Sequence, residues 1–236
     1  HCPATGDTAV IDPAVTGPVM DAAKAKGWTI THILNTHHHG DHTGGNLEIK
    51  AATGCTIVGP KADRARIPGI DVEVDDGDSY RLGEADSKVF FVPGHTRGHI
   101  AYWFGDSDAL FCGDTMFAMG CGRLFEGTPA QMWHSLSKLK DLPGETRIFC
   151  AHEYTQANGR FALSVEPDNT DLVARMAEVD AKRARDEPTV PSTLAEERAT
   201  NPFLRPDSPL LQKTVGMVGA DPVDVFAETR ARKDNF

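Results

Sequence analysis

The sequence predicts a layered α/β body followed by a helical appendage, and three observations carry that reading. Between residues 8 and 58, short β-branched runs alternate with amphipathic helical stretches, the order that builds βαβ layers. From residue 77 to 127, glycines punctuate short apolar runs, the pattern of sheet with tight turns. After Tyr154 the chain becomes helical and charged.

Each element has a local reason. Thr8–Ile11 reads as a strand stopped by Asp12-Pro13, and Pro18–Lys26 as a helix ended by Gly27. Thr29–Leu34 is apolar and β-branched, a strand buried on both faces; Asn46–Thr53 is helical and Thr56–Val58 is a further strand. Val89–Val92, Ile100–Phe104 and Ala109–Cys112 are the glycine-flanked strands of the middle. Pro129–Leu139 is a helix and Thr146–Ala151 the last strand of the body. Asp171–Glu187 is the longest helix, broken by Pro188 and Pro191, and another runs from Asp221 to Lys233. The expected division is a body at residues 1–155 and an appendage at 156–236, without internal repeats.

Composition narrows the classes. With 236 residues, 40% hydrophobic and 25% charged, the chain is globular. Chains of this size bury about 70% of their unfolded surface, so no disulfide scaffold is required. No apolar run reaches the roughly eighteen residues of a membrane span. The balance of 24 basic against 34 acidic side chains, net charge -10, speaks against a nucleic-acid binder. Five scattered cysteines (Cys2, Cys55, Cys112, Cys121, Cys150) without a CxxC pair fit free thiols in a reducing compartment, the cytoplasm or a mitochondrial matrix. A monomer is expected.

The chemistry concentrates in Thr36-His37-His38-His39-Gly40-Asp41-His42, directly after the buried strand. Neutral imidazoles and carboxylates are the usual ligands of zinc and neighbouring transition metals. His37 and His39 are two apart, so on an extended segment they point the same way, while Asp41 and His42 follow on the turn past Gly40. His38 faces away and reads as a packing or supporting residue. Three more candidates repeat one arrangement, a polar residue just past an apolar strand: His95 after Val92, Asp114 after Cys112, and His152 after Ala151. His99 lies inside the next segment and reads as packing. Cys121, in a Gly-rich loop, has no matched base nearby and is not read as a nucleophile.

Taken together, His-x-His-x-Asp-His at 37–42, Pro-Gly-His-Thr-x-Gly-His at 93–99, Gly-Asp-Thr at 113–115 and the late His152 resemble the metallo-β-lactamase superfamily. Further motifs narrow the resemblance to its glyoxalase II branch, the hydroxyacylglutathione hydrolases: Gly113–Phe117, Gly120–Gly127, Cys150–Thr155, Pro188–Glu197, Asn201–Arg205 and the terminal Arg232–Phe236. The resemblance runs nearly end to end.

It implies a four-layer αββα sandwich of the metallo-β-lactamase type with a C-terminal helical appendage. It also implies two divalent metal ions, zinc first, with iron or manganese compatible with the same ligands. His37, His39 and His95 would hold one ion; Asp41, His42 and His152 the other; Asp114 would bridge them. Two dications, two carboxylates and one hydroxide sum to a single positive charge, which a partly buried site tolerates. The family's glutathione-recognition positions fall here on Arg123, Phe125, Tyr154, Arg230 and Lys233. A common family pattern has Lys and Tyr at the first two. Arg123 keeps the charge; Phe125 keeps the ring and loses a hydroxyl donor. For Arg230 and Lys233 the competing reading is an ordinary solvated helix end. The family also carries a further strand or two before the position of His1, so the N-terminus is expected to be incomplete.

The implied reaction is hydrolysis of S-(2-hydroxyacyl)glutathione thioesters, S-D-lactoylglutathione above all, by a hydroxide bridging two metals, with Asp41 and Asp114 as the carboxylates at the centre. This is a step of methylglyoxal detoxification. The alternative within the same fold is a persulfide dioxygenase with one iron. Those enzymes share the first His cluster and Gly-Cys-Gly-Arg, but lack the long appendage with Pro-Ser-Thr-Leu and Asn-Pro-Phe. A nuclease of the superfamily is disfavoured by the acidic balance. A non-catalytic metal-stabilised module leaves a bridging carboxylate without a purpose.

Overall fold

A computed structural model describes residues 1–236. By packing, the chain forms two compact units, residues 1–91 with 97–113, and residues 92–96 with 114–236.

The first unit begins with a parallel sheet in the order β1 (Ala9–Ile11), β2 (His32–Leu34), β3 (Thr56–Pro60), β4 (Val72–Val74). Parallel neighbours need crossovers. Helix α1 (Thr16–Lys26) joins β1 to β2; α2 (Gly40–Thr43) and α3 (Asn46–Thr53) join β2 to β3. The helices cover one face of the sheet: Ala23 and Ile49 pack with Ile33, Ile57 and Ile67 in a buried cluster. Period-two alternation turns the neighbouring Leu34 and Val58 to the other face, where both are fully buried.

An antiparallel run, β5 (Ser79–Leu82), β6 (Ala85–Phe91), β7 (Ile100–Phe104) and β8 (Ala109–Gly113), completes this unit. Along β6 the pattern alternates, Ser87 and Val89 inward, Asp86 and Lys88 outward. The two sheets are tied where the first motif begins: Tyr102 donates its hydroxyl to the Asn35 carbonyl at 3.1 Å, and Ile100 N–H donates to the Thr36 carbonyl at 2.9 Å.

The strand expected over Thr29–Leu34 is shorter. The chain leaves α1 through Gly27 in the left-handed region, φ 69°, and Trp28 N–H returns to the Ala23 carbonyl. That turn occupies the residues before His32, where pairing with Ala9 and Thr56 starts.

The second unit opens with a small hairpin, β9 (Met116–Phe117) and β10 (Gly120–Cys121). Its turn places Met119, a buried non-glycine residue, at φ 54°, a conformation costing about 1–2 kcal/mol. The longest elements are helices α4 (Pro129–Lys140), α5 (Thr155–Val165), α6 (Thr170–Arg183), α7 (Leu194–Thr200), α8 (Pro209–Val215) and α9 (Pro222–Asp234), with a short antiparallel pair of β11 (Arg147–Cys150) and β12 (Ser192–Thr193). Their starts are explicit in the sequence. Thr128 and Thr193 form capping boxes with Gln131 and Glu196, while Asn169, Ser208 and Asp221 cap α6, α8 and α9. Phe161, Phe203 and Phe226 stack and tilt against one another in the core of this unit. The helix expected over Asp171–Glu187 ends earlier, at Arg183, and the residues from 155 to 165, read only as generally helical, form α5.

No helix of the chain is long and apolar enough to cross a membrane.

These contacts set expected stabilities. Ile57→Ala, at a fully buried position, lowers the unfolding free energy by about 3 kcal/mol. Thr128→Ala, at an exposed cap, lowers it by about 1 kcal/mol. Urea midpoints with unchanged slopes check both; equal small losses would contradict the assigned core.

Candidate metal centre

The first unit gathers four of the expected ligands on the segment after β2. Asn35 holds the segment's course, donating its amide to the His42 carbonyl at 3.0 Å and accepting from the Asn46 amide at 2.7 Å. His37 Nε2 lies 3.1 Å from His39 Nδ1, so the two rings converge as expected. Asp41 and His42 sit on the short helix α2 rather than on an irregular turn. His42 Nε2 lies 3.7 Å from the Asp41 carboxylate.

Asp12 organises this group. It follows β1 at φ 49°, and its carboxylate accepts from Thr36 N–H at 2.7 Å, from the Thr36 hydroxyl at 2.6 Å and from His42 Nδ1–H at 3.0 Å. With its hydroxyl proton given to Asp12, Thr36 Oγ1 accepts from His37 Nδ1–H at 3.1 Å. Both imidazoles are thereby fixed in the tautomer that leaves Nε2 as a lone pair. The sequence reading treated Asp12 only as a strand stop. The signal was present: an acidic residue directly past an apolar strand, the arrangement used to find His95, Asp114 and His152.

His38 is held apart from the converging rings. Its Nδ1–H donates to Asp63 at 3.0 Å and its Nε2 accepts from Arg66 at 3.1 Å, so neither nitrogen is offered to a metal. His99 is buried, stacks on His37 at 4.5 Å and donates Nδ1–H to the Ile100 carbonyl at 3.0 Å. Both match the packing roles expected of them.

The second unit holds the other three. His95 donates Nδ1–H to the Arg123 carbonyl at 2.8 Å, which again leaves Nε2 as an acceptor. That Nε2 stands 3.4 Å from one oxygen of Asp114, and His152 Nε2 stands 3.5 Å from the other. These separations exceed the 2.7–3.2 Å of good N–H···O bonds. They match the roughly 3.4 Å between two ligand atoms bound at about 2.1 Å in tetrahedral geometry. The donor set therefore fits divalent metal ions: three imidazoles with fixed tautomers, and a buried carboxylate offering one oxygen to each side.

Of the residues expected to meet substrate, two have rings against these imidazoles. Phe125 is exposed, its ring edge-on to His95 at 5.2 Å. Tyr154, half exposed, stacks on His152 at 4.8 Å. Arg123 Nε lies 3.4 Å from Asp234. Lys233 Nζ donates to the Ala157 carbonyl at 3.3 Å and lies over the rings of Phe161 and Phe236. Burial, then the neighbouring Arg230, hold its pKa below the usual lysine value. Arg230 fits neither reading offered for it, since only 6% of its surface is exposed. It donates to the Cys121 carbonyl at 3.0 Å and to Asp234 at 2.9 Å.

The five cysteines form no disulfide. Burial pushes Cys121 up to about 11 despite Arg230 beside it, and burial pushes Cys150 up to about 12. Cys121 is therefore no nucleophile at neutral pH.

Fold and donor set together define a metallohydrolase of the metallo-β-lactamase type, and comparison with known proteins agrees. The model of the metallo-beta-lactamase superfamily matches residues 4–152, and that of the hydroxyacylglutathione hydrolase C-terminus matches residues 153–236. The hydroxyacylglutathione hydrolase of Methylococcus capsulatus is 61% identical over 236 residues, all of this chain and 92% of that protein. The one from Rhodospirillum rubrum is likewise 61% identical over the same spans. Among solved structures, ETHE1 from Myxococcus xanthus superposes with a TM-score of 0.67 at 25% identity, over 98% of this chain and 90% of that one. The chain belongs to the hydroxyacylglutathione hydrolase family and adopts the αββα metallo-β-lactamase fold with the family's helical C-terminal part.

Two outcomes follow from this geometry. Asp12→Asn weakens metal affinity about ten- to hundredfold while the protein stays folded; competition with a chromophoric chelator reads it, and unchanged affinity would remove Asp12 from the site. Alkylation near pH 7 labels Cys2 first, because its pKa is lowered to about 7, chiefly by a hydrogen bond with Thr5. Cys121 and Cys150 stay unlabelled, as peptide mass spectrometry will show.

Proposed function

We propose that this protein hydrolyses S-(2-hydroxyacyl)glutathione thioesters, with S-D-lactoylglutathione giving D-lactate and glutathione in the removal of methylglyoxal. The observation that carries the reading is Asp114, whose two oxygens each face a different imidazole, His95 on one side and His152 on the other. In this reading His37, His39 and His95 hold one divalent ion, Asp41, His42 and His152 the other, and Asp114 serves both. Zinc is the first candidate, with iron or manganese suited to the same ligands. Bound there, the ions supply hydroxide at neutral pH by lowering the pKa of water from about 15.7 to about 7, and they offset negative charge on the carbonyl oxygen.

The chain's own residues do the rest. Asp12, Thr36 and the Arg123 carbonyl keep His42, His37 and His95 in the tautomer that presents a lone pair. Glutathione carries two carboxylates, and on a protein of net charge -10 their recognition needs local cations; Arg123 and Lys233 supply them. Phe125 and Tyr154 flank His95 and His152 and present exposed rings to an incoming thioester. Water contributes oxygen to the carbonyl carbon, the C–S bond breaks, and sulfur departs as thiolate. A thiol pKa near ~8.5 makes that departure possible without a strong acid, so no Ser-His-Asp arrangement is required. Residues 1–155 then form the catalytic domain with all seven metal ligands, and residues 156–236 the substrate-binding domain with Lys233. The same reading has the protein act as a monomer in the cytoplasm, and five cysteines without a disulfide suit that compartment.

The test is cleavage of S-D-lactoylglutathione before and after metal removal. A chelator abolishes hydrolysis and added metal restores it; a fully metallated protein that leaves the thioester intact would overturn the glutathione assignment. Asp114→Ala loses most activity and at least one metal equivalent, whereas near-normal turnover with two metals retained would end the bridging role.

A further inference from the structure

Between Asp114 and Arg123 the chain makes the β9–β10 hairpin, and its backbone is held almost entirely by side chains from the C-terminal helices. Asn201 donates its amide to the Phe117 carbonyl at 3.2 Å and to the Gly120 carbonyl at 2.9 Å. Asn158 donates to the Ala118 carbonyl at 3.2 Å. Met119 N–H donates to Glu197 at 2.8 Å, and Arg230 donates to the Cys121 carbonyl at 3.0 Å. Five consecutive residues, 117 to 121, are thus gripped by four buried side chains. The grip is itself braced, since Glu197 also accepts from Asn201 at 3.1 Å and from Arg175 at 2.6 Å.

The hairpin does not choose this shape alone. Met119 has φ 54° without being glycine, and a two-residue hairpin turn gains little from one such residue in the wrong position. The packing leaves no slack either. A Cβ at Gly120 would lie 2.5 Å from the Asn158 amide, and one at Gly122 would lie 1.9 Å from the Asp114 carbonyl. The Asp114 backbone and the strand that delivers Arg123 are therefore pressed together. Asn201 and Glu197, both fully buried and each bonded more than once, make this part of the network rigid.

We propose that Asn201, Glu197 and Asn158 are positioning residues for the reaction: they mould the 117–121 turn so that the Asp114 carboxylate and the Arg123 side chain are held at one fixed spacing. The inference rests on the hydrolase reading above. It gives the helical appendage a second task besides contributing substrate contacts, because the appendage sets the geometry of a metal ligand. It also gives Arg230 a task that its burial allows, that of holding Cys121 and, through Asp234, standing behind Arg123.

The experiment compares the wild type with Asn201→Asp, which keeps the size but removes the donors, with Asn158→Ser, which removes one bond to the turn, and with Ser208→Ala as control. Ser208 is also buried; it caps α8 and donates to Glu166 at 2.7 Å. Zinc affinity is read by chelator competition, kcat and KM with S-D-lactoylglutathione, and folding by circular dichroism and thermal melts. The two turn variants bind zinc ten- to hundredfold more weakly, and their kcat/KM falls by up to about a hundredfold, the loss that an ångström of misplacement causes. The control melts earlier with zinc affinity, kcat and KM unchanged. Turn variants that behave like the control overturn the proposal. If Asn201→Asp does not fold, the milder Asn158→Ser decides on the same readouts. If the wild type binds zinc but leaves the thioester intact, the hydrolase reading fails, and the zinc arm still judges the mould.

Discussion

The constraint on which the rest of this protein turns is that imidazole nitrogens must face one another, and face carboxylates, without protons between them. Left to itself, a neutral imidazole beside another forms an N–H···N bond, and the ligand is lost. The chain counters this in three of the rings by tying the far nitrogen. Asp12 holds His42 directly and His37 through the Thr36 hydroxyl, and the Arg123 carbonyl holds His95. Carbonyl and carboxylate oxygens only accept, so the proton's place is settled before any metal arrives. The parallel sheet of the first unit exists, in this sense, to bring the ends of β1 and β2 side by side, with Ile11 opposite Leu34, and so to place Asp12 beside Thr36.

Glycine at particular positions follows from the same crowding. A Cβ on Gly98 would lie 2.1 Å from Asp63, the carboxylate that engages both His38 and Arg66 and so keeps His38 out of the ligand set. A Cβ on Gly94 would strike Met132 of α4 at 2.9 Å, and Gly94 itself stands at φ 155°. The Pro-Gly-His-Thr-x-Gly-His motif is thus one ligand, His95, framed by residues chosen for what they lack. Adding a methyl at Gly98 displaces the carboxylate that fixes the His38 ring, which is a larger disturbance than the added volume suggests.

The candidate ligands stand out in the sequence because each follows an apolar run of recognisable period, where a polar residue at the strand end is conspicuous. Asp12 obeyed the same rule, but Pro13 beside it offered a sufficient explanation as a chain stop, so its role stayed hidden. The strands were found where three or four apolar residues repeat, as in Ile100–Phe104. The β9–β10 hairpin was missed because its two-residue strands carry no period, and what shapes them lies some 40 to 80 residues away, in Asn158, Glu197 and Asn201. Local sequence cannot encode a turn that distant side chains impose.

Arg230 shows the limit of carrying a role over by position alone. A basic residue near a helix C-terminus reads either as solvated charge or as a substrate contact, and both assume that it reaches water. Here its guanidinium lies over the Phe203 ring, 5.1 Å from the centroid, and donates to a backbone carbonyl and to Asp234. A buried cation is costly unless its donors are engaged; here both terminal nitrogens are engaged with protein, while Nε is buried without a hydrogen-bond partner. Asp234 then serves two cations at once, since Arg123 also approaches it. Any anion that approached Arg123 would compete with Asp234 for its guanidinium.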